Sequence, residues 1–205
     1  MLTKNEYDAM LIERHGQKTF NILSKAHVGI AGLGGLGSNI AMMLARSGIG
    51  HLLLIDFDIV EPSNLNRQHY MISHLGMPKS EAIKDLILQA NPYIQLDTRC
   101  LKITGENAPE LFRDCDLVCE AFDKPEAKAE LINSLLENCP GLPLISGSGM
   151  AGYGSSNTIR TEKAMNNLYL CGDKVSGIET VGSLMAPRVQ ICAGHEANMA
   201  LRLLL

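Results

Sequence analysis

A glycine-rich turn near the start of the chain has the residue types and the spacing of a phosphate-binding loop. The apolar run 28–31 leads into a G-x-G-x-x-G pattern, and apolar residues at helical spacing follow it. Glycines let a backbone turn sharply and approach a ligand closely, and the N–H groups at a helix start attract phosphate. The pattern predicts a strand, a turn and a helix that bind a nucleotide through Gly32, Gly34, Gly35 and Gly37. A close-packed turn without a ligand would show the same pattern.

A carboxylate follows the next apolar run of the chain. Residues 52–55 are Leu, Leu, Leu and Ile, and Asp56 comes directly after them. An acid at the carboxyl end of the second strand of a nucleotide-binding unit accepts hydrogen bonds from ribose hydroxyls. We therefore expect Asp56 to bind a ribose, which serves NAD and ATP equally well.

Two cations lie in and beyond the polar segment that follows Asp56. Arg67 belongs to the segment 56–68, and Lys79 stands at the start of a predicted helix. A loop that brings both back to the glycine turn would put two positive charges against phosphates, more than a dinucleotide held by backbone N–H groups requires. This favours ATP. The alternative is a solvated loop arginine and a surface lysine, although Lys79 is poorly placed for the helix dipole.

A third candidate, Asp123, follows Phe122 at the end of the buried strand predicted over 116–121. Open parallel sheets bind their ligands at the carboxyl ends of the strands, and a carboxylate there could hold Mg²⁺ against the phosphates of ATP. The alternative is that Asp123 caps the helix predicted over 125–138, because a proline occupies its first position. One residue could also serve both purposes.

The elements that must position these residues alternate between strand and helix. Apolar periodicity predicts further helices over 5–24 (one or two helices), 80–90, 107–113 and 185–205, and further strands over 94–103, 142–146, 158–161 and 167–170. The last two strands are expected to be antiparallel. We therefore predict an α/β fold, a Rossmann-like mostly parallel sheet with helices on both faces and a short mixed C-terminal part.

The chain is interpreted as a single nucleotide-binding domain over residues 1–205. Its predicted parts are an N-terminal helical arm (1–26), an ATP-binding core (27–146), and a C-terminal extension with a closing helix (147–205). The glycine-rich stretch 147–154 would permit close approach of an extended peptide, and a plain flexible connection is equally compatible with it.

Composition excludes several classes of protein. With 205 residues, 46% of them hydrophobic, the chain suits one α/β domain with a sizeable core. It has no run of about 18 apolar residues and no amino-terminal leader, so we expect a cytoplasmic protein without membrane contact. The net charge of −4 argues against an extended nucleic-acid surface, but not against a local basic pocket.

The six cysteines carry no metal or disulfide pattern. No Cys-x-x-Cys occurs, so neither a structural zinc nor a disulfide framework is expected, and most of the thiols should be small buried side chains. Cys171 stands beside a glycine and could be a reactive thiol, although nothing near it in the sequence would lower its pKa. Cys192 falls in the predicted closing helix and is a weaker candidate.

The sequence resembles a known family over nearly the whole chain, from about residue 13 onward, and one long motif is the most specific part of the resemblance. Residues 56–68 read D-F-D-x-V-E-x-S-N-L-N-R-Q, preceded by G-L-G-G-L-G-S and followed by G-x-P-K. This is similar to the ThiF/MoeB/HesA family, the bacterial relatives of ubiquitin-activating enzymes, and in particular to its short ThiF-like members. Some members carry a nucleophilic cysteine before the closing helix, but residues 174–186 contain none.

The resemblance implies an adenylyltransferase. The implied substrates are Mg-ATP and the C-terminal glycine of a small ubiquitin-like sulfur carrier ending in Gly-Gly, of the ThiS kind that serves thiamine thiazole biosynthesis. The implied catalytic residues are Arg14, Arg67, Lys79 and Asp123, with Mg²⁺ on Asp123 and Arg14 acting in the partner's site of a homodimer. Besides these and the residues named above, the implied nucleotide contacts are Asp58, Ser63, Asn64, Leu65, Asn66 and Lys124.

Other functions remain open on the sequence. The same fold could adenylate a small molecule or a modified tRNA base, and the acidic balance weighs against tRNA. The glycine turn and Asp56 also permit an NAD-dependent oxidoreductase, which would leave Arg67, Lys79 and Asp123 without a role. A non-catalytic dimeric binding module would keep the same fold.

Overall fold

The computed structural model describes residues 2–205 and places seven strands in one sheet, in the order β3-β2-β1-β4-β5-β7-β6. The strands are β1 (His27–Ala31), β2 (His51–Ile55), β3 (Gln95–Arg99), β4 (Leu117–Glu120), β5 (Leu144–Gly147), β6 (Arg160–Lys163) and β7 (Leu168–Gly172). Neighbouring strands are parallel except β6 and β7. The predicted fold class is confirmed. Of the two strands expected to be antiparallel, β6 runs antiparallel to its neighbour β7, whereas β7 itself runs parallel to β5. The expectation was therefore correct for β6 and wrong for β7.

The helices lie close to their predicted positions, except that the short helix Ile178–Val181 was not predicted. They are α1 (Lys4–His15), α2 (Gln17–Leu23), α3 (Gly35–Arg46), α4 (Lys79–Ala90), α5 (Ala108–Phe112), α6 (Pro125–Asn138), α7 (Ile178–Val181) and α8 (Ala186–Leu204). The segment predicted as one or two helices over 5–24 forms two, because Gly16 adopts a φ of 82° between them. Short 3-10 turns occupy Pro62–Asn64, Ile72–His74 and Ser156–Thr158.

Helices cover both faces of the sheet because strand side chains alternate in direction. Leu52 and Leu54 of β2 join a core cluster that includes residues of α3, α4 and α8. Leu53 and Ile55 point the other way, into a second cluster with residues of α5 and α6. Each fully buried side chain of this size contributes about 1.5–3 kcal/mol relative to an exposed one. The two clusters therefore fix the strands that carry the site.

The parallel strands bring three sequence segments to one edge of the sheet. In the register of the sheet, Ala31 at the end of β1 pairs with Ile55 of β2 on one side and with Glu120 of β4 on the other. The glycine turn, Asp56 and the segment 121–124 follow these three strand ends. Because the strand order reverses on either side of β1, this edge is the place where open α/β sheets bind ligands.

The N-terminal helices lie at the opposite edge. Leu11 of α1 packs against Gly48, in the turn before β2 begins, where an added Cβ would be 3.0 Å from its side chain. The ring of Tyr7 lies 5.8 Å from that of Tyr93, shortly before β3. Helix α1 is thus packed at the amino ends of the strands, remote from the glycine turn.

A buried ion pair fastens the C-terminal extension to the closing helix. The carboxylate of Asp173 accepts hydrogen bonds from Arg188 of α8 and from Ser176 Oγ at 2.6 Å. Burial by itself raises the pKa of Asp173, but hydrogen bonds from Ser176 and Val175 and the charge of Arg188 outweigh it and lower the pKa to about 2. The carboxylate therefore stays ionised and holds the segment in place.

The glycines of the stretch 147–154 serve this packing. A Cβ on Gly149 would lie 2.3 Å from Asp173 Oδ1, and one on Gly152 would lie 2.4 Å from Val181 Cγ1. Both residues also have positive φ angles, which favour glycine. These positions are filled by the protein's own C-terminal extension, so they form neither an open peptide channel nor a loose connection.

Gly37 is the position in the glycine turn where a side chain has least room. A Cβ there would lie 1.9 Å from the carbonyl oxygen of Gly32. We expect Gly37→Ala to push α3 away from β1 and to lower the free energy of unfolding by about 3 kcal/mol or more in urea denaturation. The control is Gly194→Ala in α8, where no atom lies within 4 Å of the new Cβ and stability should rise by up to about 1 kcal/mol. Wild-type stability of Gly37→Ala would contradict the close approach.

Candidate nucleotide-binding site

The glycine turn presents backbone N–H groups to its surroundings. Gly32 has a φ of 89° and donates its N–H to Ile55 O at 2.9 Å, which turns the chain directly after β1. Helix α3 begins at Gly35, and its N-cap residue, Gly34, provides no side-chain hydrogen bond to the first turn. Uncapped N–H groups at a helix start bind anions, so the turn has the local chemistry of a phosphate site.

Asp56 ties the second strand to the glycine turn. Its Oδ2 accepts the N–H of Leu33 at 2.6 Å, and its Oδ1 accepts the N–H of Asp58 at 2.8 Å. Burial of the carboxyl raises the pKa of Asp56, and the charge of Lys79 together with the two backbone hydrogen bonds opposes part of that rise. Each oxygen keeps lone-pair capacity, but the side chain is only 8% exposed.

Lys79 is anchored beside this carboxylate. Its Nζ lies 2.7 Å from Asp58 Oδ2, and its backbone N–H donates to the carbonyl of Asp58 at 2.9 Å. The lysine side chain is 8% exposed, whereas that of Asp58 is half exposed. The first turn of α4 therefore holds a largely buried ammonium group next to the start of the motif segment.

Tyr70 is a site residue that the sequence reasoning missed. Its hydroxyl donates to the carbonyl of Leu33 at 2.7 Å and lies 3.4 Å from the carbonyl of Lys79. Burial raises the pKa of Tyr70, so the phenol keeps its proton and remains a donor. It joins the glycine turn to the start of α4. The only sequence signal is its place two residues after Gln68, the end of the motif.

Arg67 packs along the glycine turn. A Cβ on Gly35 would lie 3.6 Å from Arg67 Cγ, so the stem of the arginine covers the helix start. Its Nη1 donates to Ser63 O and to Asn66 Oδ1, each at 2.9 Å. The guanidinium keeps further N–H donors that these two hydrogen bonds do not use.

The two asparagines of the motif connect protein segments. Asn64 is buried, and its Oδ1 accepts the N–H of Glu61 at 3.0 Å, so it stabilises the 3-10 turn. Asn66 donates to Leu184 O at 3.0 Å and so joins the motif to the segment before α8. Leu65 between them packs against the core. A cavity of about 350 Å³ lies at this junction, lined by Asn66, Arg67, Ile178, Gly182, Ser183, Leu184 and Met185.

Asp123 stands on the turn between β4 and α6, next to the glycine turn. A Cβ on Gly32 would lie 3.0 Å from Phe122 Cδ1 and 3.1 Å from Ala121 O. Asp123 and Lys124 are both exposed. The N-cap of α6 is Lys124, and no side chain bonds to the helix start, so the alternative that Asp123 caps this helix is wrong.

Arg14 lies outside this arrangement. It is exposed in the last turn of α1, a helix that packs at the amino ends of the strands. The glycine turn follows the carboxyl end of β1, on the opposite edge of the sheet. A larger cavity of about 490 Å³ is also remote from the site; it lies at the amino end of β4, beside Cys115, Asp116 and Pro143.

The two cysteines Cys171 and Cys192 are both buried. Cys171 belongs to strand β7 rather than to a flexible loop, and burial raises the pKa of its thiol to about 12. Cys192 is buried in α8, donates to the carbonyl of Cys171 at 3.3 Å, and has a pKa raised by burial. Neither thiol has the lowered pKa of a nucleophile.

These observations define an α/β protein of the Rossmann-like class, with a candidate nucleotide site at the carboxyl ends of β1, β2 and β4. The sequence pattern of the ThiF family matches residues 7–205, and the chain belongs to that family. Among residues 2–205, no helix combines the length and the apolar character that crossing a membrane requires.

The chain is similar in sequence to known adenylyltransferases. A molybdopterin-synthase adenylyltransferase of Salmonella typhimurium is 30% identical over 89% of this chain and 74% of its own length. An adenylyltransferase and sulfurtransferase of Eremothecium gossypii is 38% identical over 64% of this chain and 30% of its own length. The chain spans half or less of the first relatives that it matches.

A solved structure confirms the fold. The E. coli tRNA N6-threonylcarbamoyladenosine dehydratase in complex with ATP superimposes with a TM-score of 0.85, covering 98% of this chain and 96% of that chain at 23% identity. At this level of identity the likeness concerns the fold alone. The E. coli protein binds ATP with this same arrangement of strands and helices.

Thiol labelling tests the burial of Cys171. In the native protein we expect iodoacetamide to modify the exposed Cys100 at least about tenfold faster than Cys171, because burial both shields the latter and suppresses its thiolate. Peptide mapping by mass spectrometry measures both rates. The control is the protein in guanidinium chloride, where the two rates should converge. Equal native rates would show that Cys171 is accessible.

Proposed function

We propose that this protein uses ATP to adenylate the C-terminal glycine carboxylate of a ubiquitin-like sulfur-carrier protein. The proposal rests on one observation. The uncapped start of α3, the basic side chains of Arg67 and Lys79, and the exposed carboxylate of Asp123 belong to the same edge of the sheet. Membership of the ThiF family and relatives named adenylyltransferases support it. An oxidoreductase would have no use for this set of charges.

The proposed reaction needs charge stabilisation more than covalent chemistry. The carrier carboxylate forms a bond to the α-phosphorus of ATP while the bond from that phosphorus to the bridging oxygen breaks, and pyrophosphate leaves with the electron pair. The N–H groups of the glycine turn and the guanidinium of Arg67 stabilise the phosphate oxygens. Lys79 adds its charge beside Asp58, and Asp56 accepts the ribose hydroxyls. Catalysis rests on positioning and electrostatics, without a thiol.

Mg²⁺ fits the chemistry of Asp123. Among residues 2–205 no cluster of three or more histidine, cysteine or acidic side chains suits a metal, so the protein offers no complete cage. Mg²⁺ is commonly bound by one or two carboxylates, phosphate oxygens and water, and Asp123 is an exposed carboxylate beside the glycine turn. When bound there, the ion would neutralise charge on the leaving pyrophosphate.

The cavity at the motif junction suits the tail of the carrier. It lies beside Arg67 and has apolar walls from Ile178, Leu184 and Met185. A Gly-Gly terminus has no side chains and can extend through a narrow opening toward a phosphate site. We assign a ThiS-like carrier and thiamine thiazole biosynthesis on the likeness to short ThiF-like proteins. A carrier of another pathway would use the same residues.

A homodimer would complete the site. Arg14 lies on a helix at the amino ends of the strands, whereas the phosphates would lie at the carboxyl ends. An intramolecular role in catalysis is therefore out of reach, and we propose that Arg14 of each protomer acts in the site of its partner. A second subunit contributing a cation would also explain why Arg14 is exposed in the single chain.

ATP–pyrophosphate exchange tests the function. Purified protein with Mg²⁺ should exchange labelled pyrophosphate into ATP when one candidate carrier ending in Gly-Gly is present. Asp123→Ala should lower the exchange by about 100-fold or more, because it removes a charge contact at the leaving phosphates. The matched control is Glu126→Gln, an exposed acid on the first turn of α6, which should keep full exchange. ATP binding without exchange for any carrier would favour a small-molecule substrate, and no ATP binding would contradict the site.

Mixed dimers test the action of Arg14 across subunits. Arg14→Ala and Asp123→Ala should each be inactive alone. After subunit exchange in an equal mixture, half of the dimers contain one of each chain, and one of their two sites is intact. We therefore expect about one quarter of wild-type exchange to return. No recovery, in a mixture shown by native mass spectrometry to contain heterodimers, would contradict action across the interface.

A further inference from the structure

An ion pair between a buried glutamate and a partly buried lysine lies directly under the turn that carries Asp123. Glu120, the last residue of β4, is 1% exposed, and Lys128 of α6 bonds to its Oε2. Ser146 of β5 donates its hydroxyl to the same oxygen at 2.6 Å, and Lys128 Nζ lies 3.3 Å from that hydroxyl. Three elements, β4, β5 and α6, are thus joined at one carboxylate.

The other carboxylate oxygen sets the path of the chain. Glu120 Oε1 accepts the N–H of Phe122 at 2.7 Å, two residues further along. The ring of Phe122 in turn lies against the glycine turn, since a Cβ on Gly32 would approach it to 3.0 Å. The carboxylate therefore fixes the residue immediately before Asp123 against the phosphate-binding turn.

A second buried acid, Glu196, lies near this pair. Glu196 of α8 is fully buried, and neither of its carboxyl oxygens has a hydrogen-bond partner within residues 2–205. Burial raises the pKa of Glu196 well above its usual range, which favours its neutral form despite the nearby charge of Lys128. Burial likewise keeps the neighbouring thiols neutral, those of Cys119, Cys171 and Cys192. Of the two acids, Glu120 is the one that bonds to Lys128 within residues 2–205.

We propose that Glu120 and Lys128 are positioning residues that hold the turn 121–124 so that Asp123 meets the metal-bound phosphates. This rests on the proposed function. Buried ion pairs are weak sources of stability, because the cost of removing two charges from water offsets their attraction. Hydrophobic side chains would join β4 and α6 as firmly, but they could not accept the Phe122 N–H. The two oxygens of this carboxylate give the turn one geometry, and Lys128 holds the carboxylate in place.

Hydrogen exchange and nucleotide binding test the proposal with readouts other than turnover. In the wild type the Phe122 amide should exchange slowly. The double variant Glu120→Leu/Lys128→Met carries no buried charge and should fold, but its leucine cannot accept the Phe122 N–H; we therefore expect faster exchange at Phe122. Its affinity for Mg-ATP should fall by about tenfold or more, while its affinity for ATP in EDTA changes by less than about twofold. Calorimetry measures both affinities.

Single variants separate positioning from stability. Lys128→Arg keeps the positive charge, so the Phe122 amide should still exchange slowly and most of the Mg-ATP affinity should remain. The control Lys102→Met removes an exposed lysine and should change neither the exchange rate nor the affinity. Fast exchange of the Phe122 amide in the wild type, or wild-type Mg-ATP affinity in the folded double variant, would overturn the proposal. A wild type that binds Mg-ATP but adenylates no carrier would refute the proposed function alone, and the exchange and binding comparisons would still decide the role of Lys128.

Discussion

The buried carboxylate of Asp56 is the interaction on which the site depends. It accepts the N–H of Leu33 on one side and that of Asp58 on the other, so one side chain joins the turn after β1 to the segment after β2. Tyr70 closes the same unit by bonding to the carbonyl of Leu33. Burial raises the pKa of Asp56, and the positive charge of Lys79 partly offsets that rise. Lys79 and the glycine turn are thus held in one network.

The sequence predicted the parts of this site that local chemistry decides. A tight turn after β1 needs glycine at Gly32 and Gly37, one for its positive φ and one for its close backbone contact, and that requirement is visible as G-x-G-x-x-G. Alternating apolar runs predicted the parallel sheet and the helices on both of its faces. Asp56 and Asp123 were found because each directly follows such a run. In all these cases the cause lies within a few residues of the effect.

The sequence did not predict what depends on contacts between distant segments. A glycine beside Cys171 suggested a loop in which the thiol could react, but pairing with β5 makes the residue part of a strand, and burial raises the pKa of its thiol. The glycines of 147–154 match the protein's own extension, which no local pattern could reveal. Glu120 and Lys128 read as ordinary charges eight positions apart, because their pairing exists only where α6 packs over the end of β4. The side-chain partners of Asn64 and Asn66 were hidden for the same reason.

The most direct test of the account is intact-mass analysis of the carrier after incubation with this protein, ATP and Mg²⁺, with pyrophosphatase added to pull the reaction forward. The account predicts a carrier that gains the mass of one AMP. The adduct should be absent when the terminal glycine of the carrier is removed, and hydroxylamine should release AMP from it, as expected of an acyl phosphate anhydride. Consumption of ATP with an unmodified carrier, for every Gly-Gly carrier tried, would contradict the central claim.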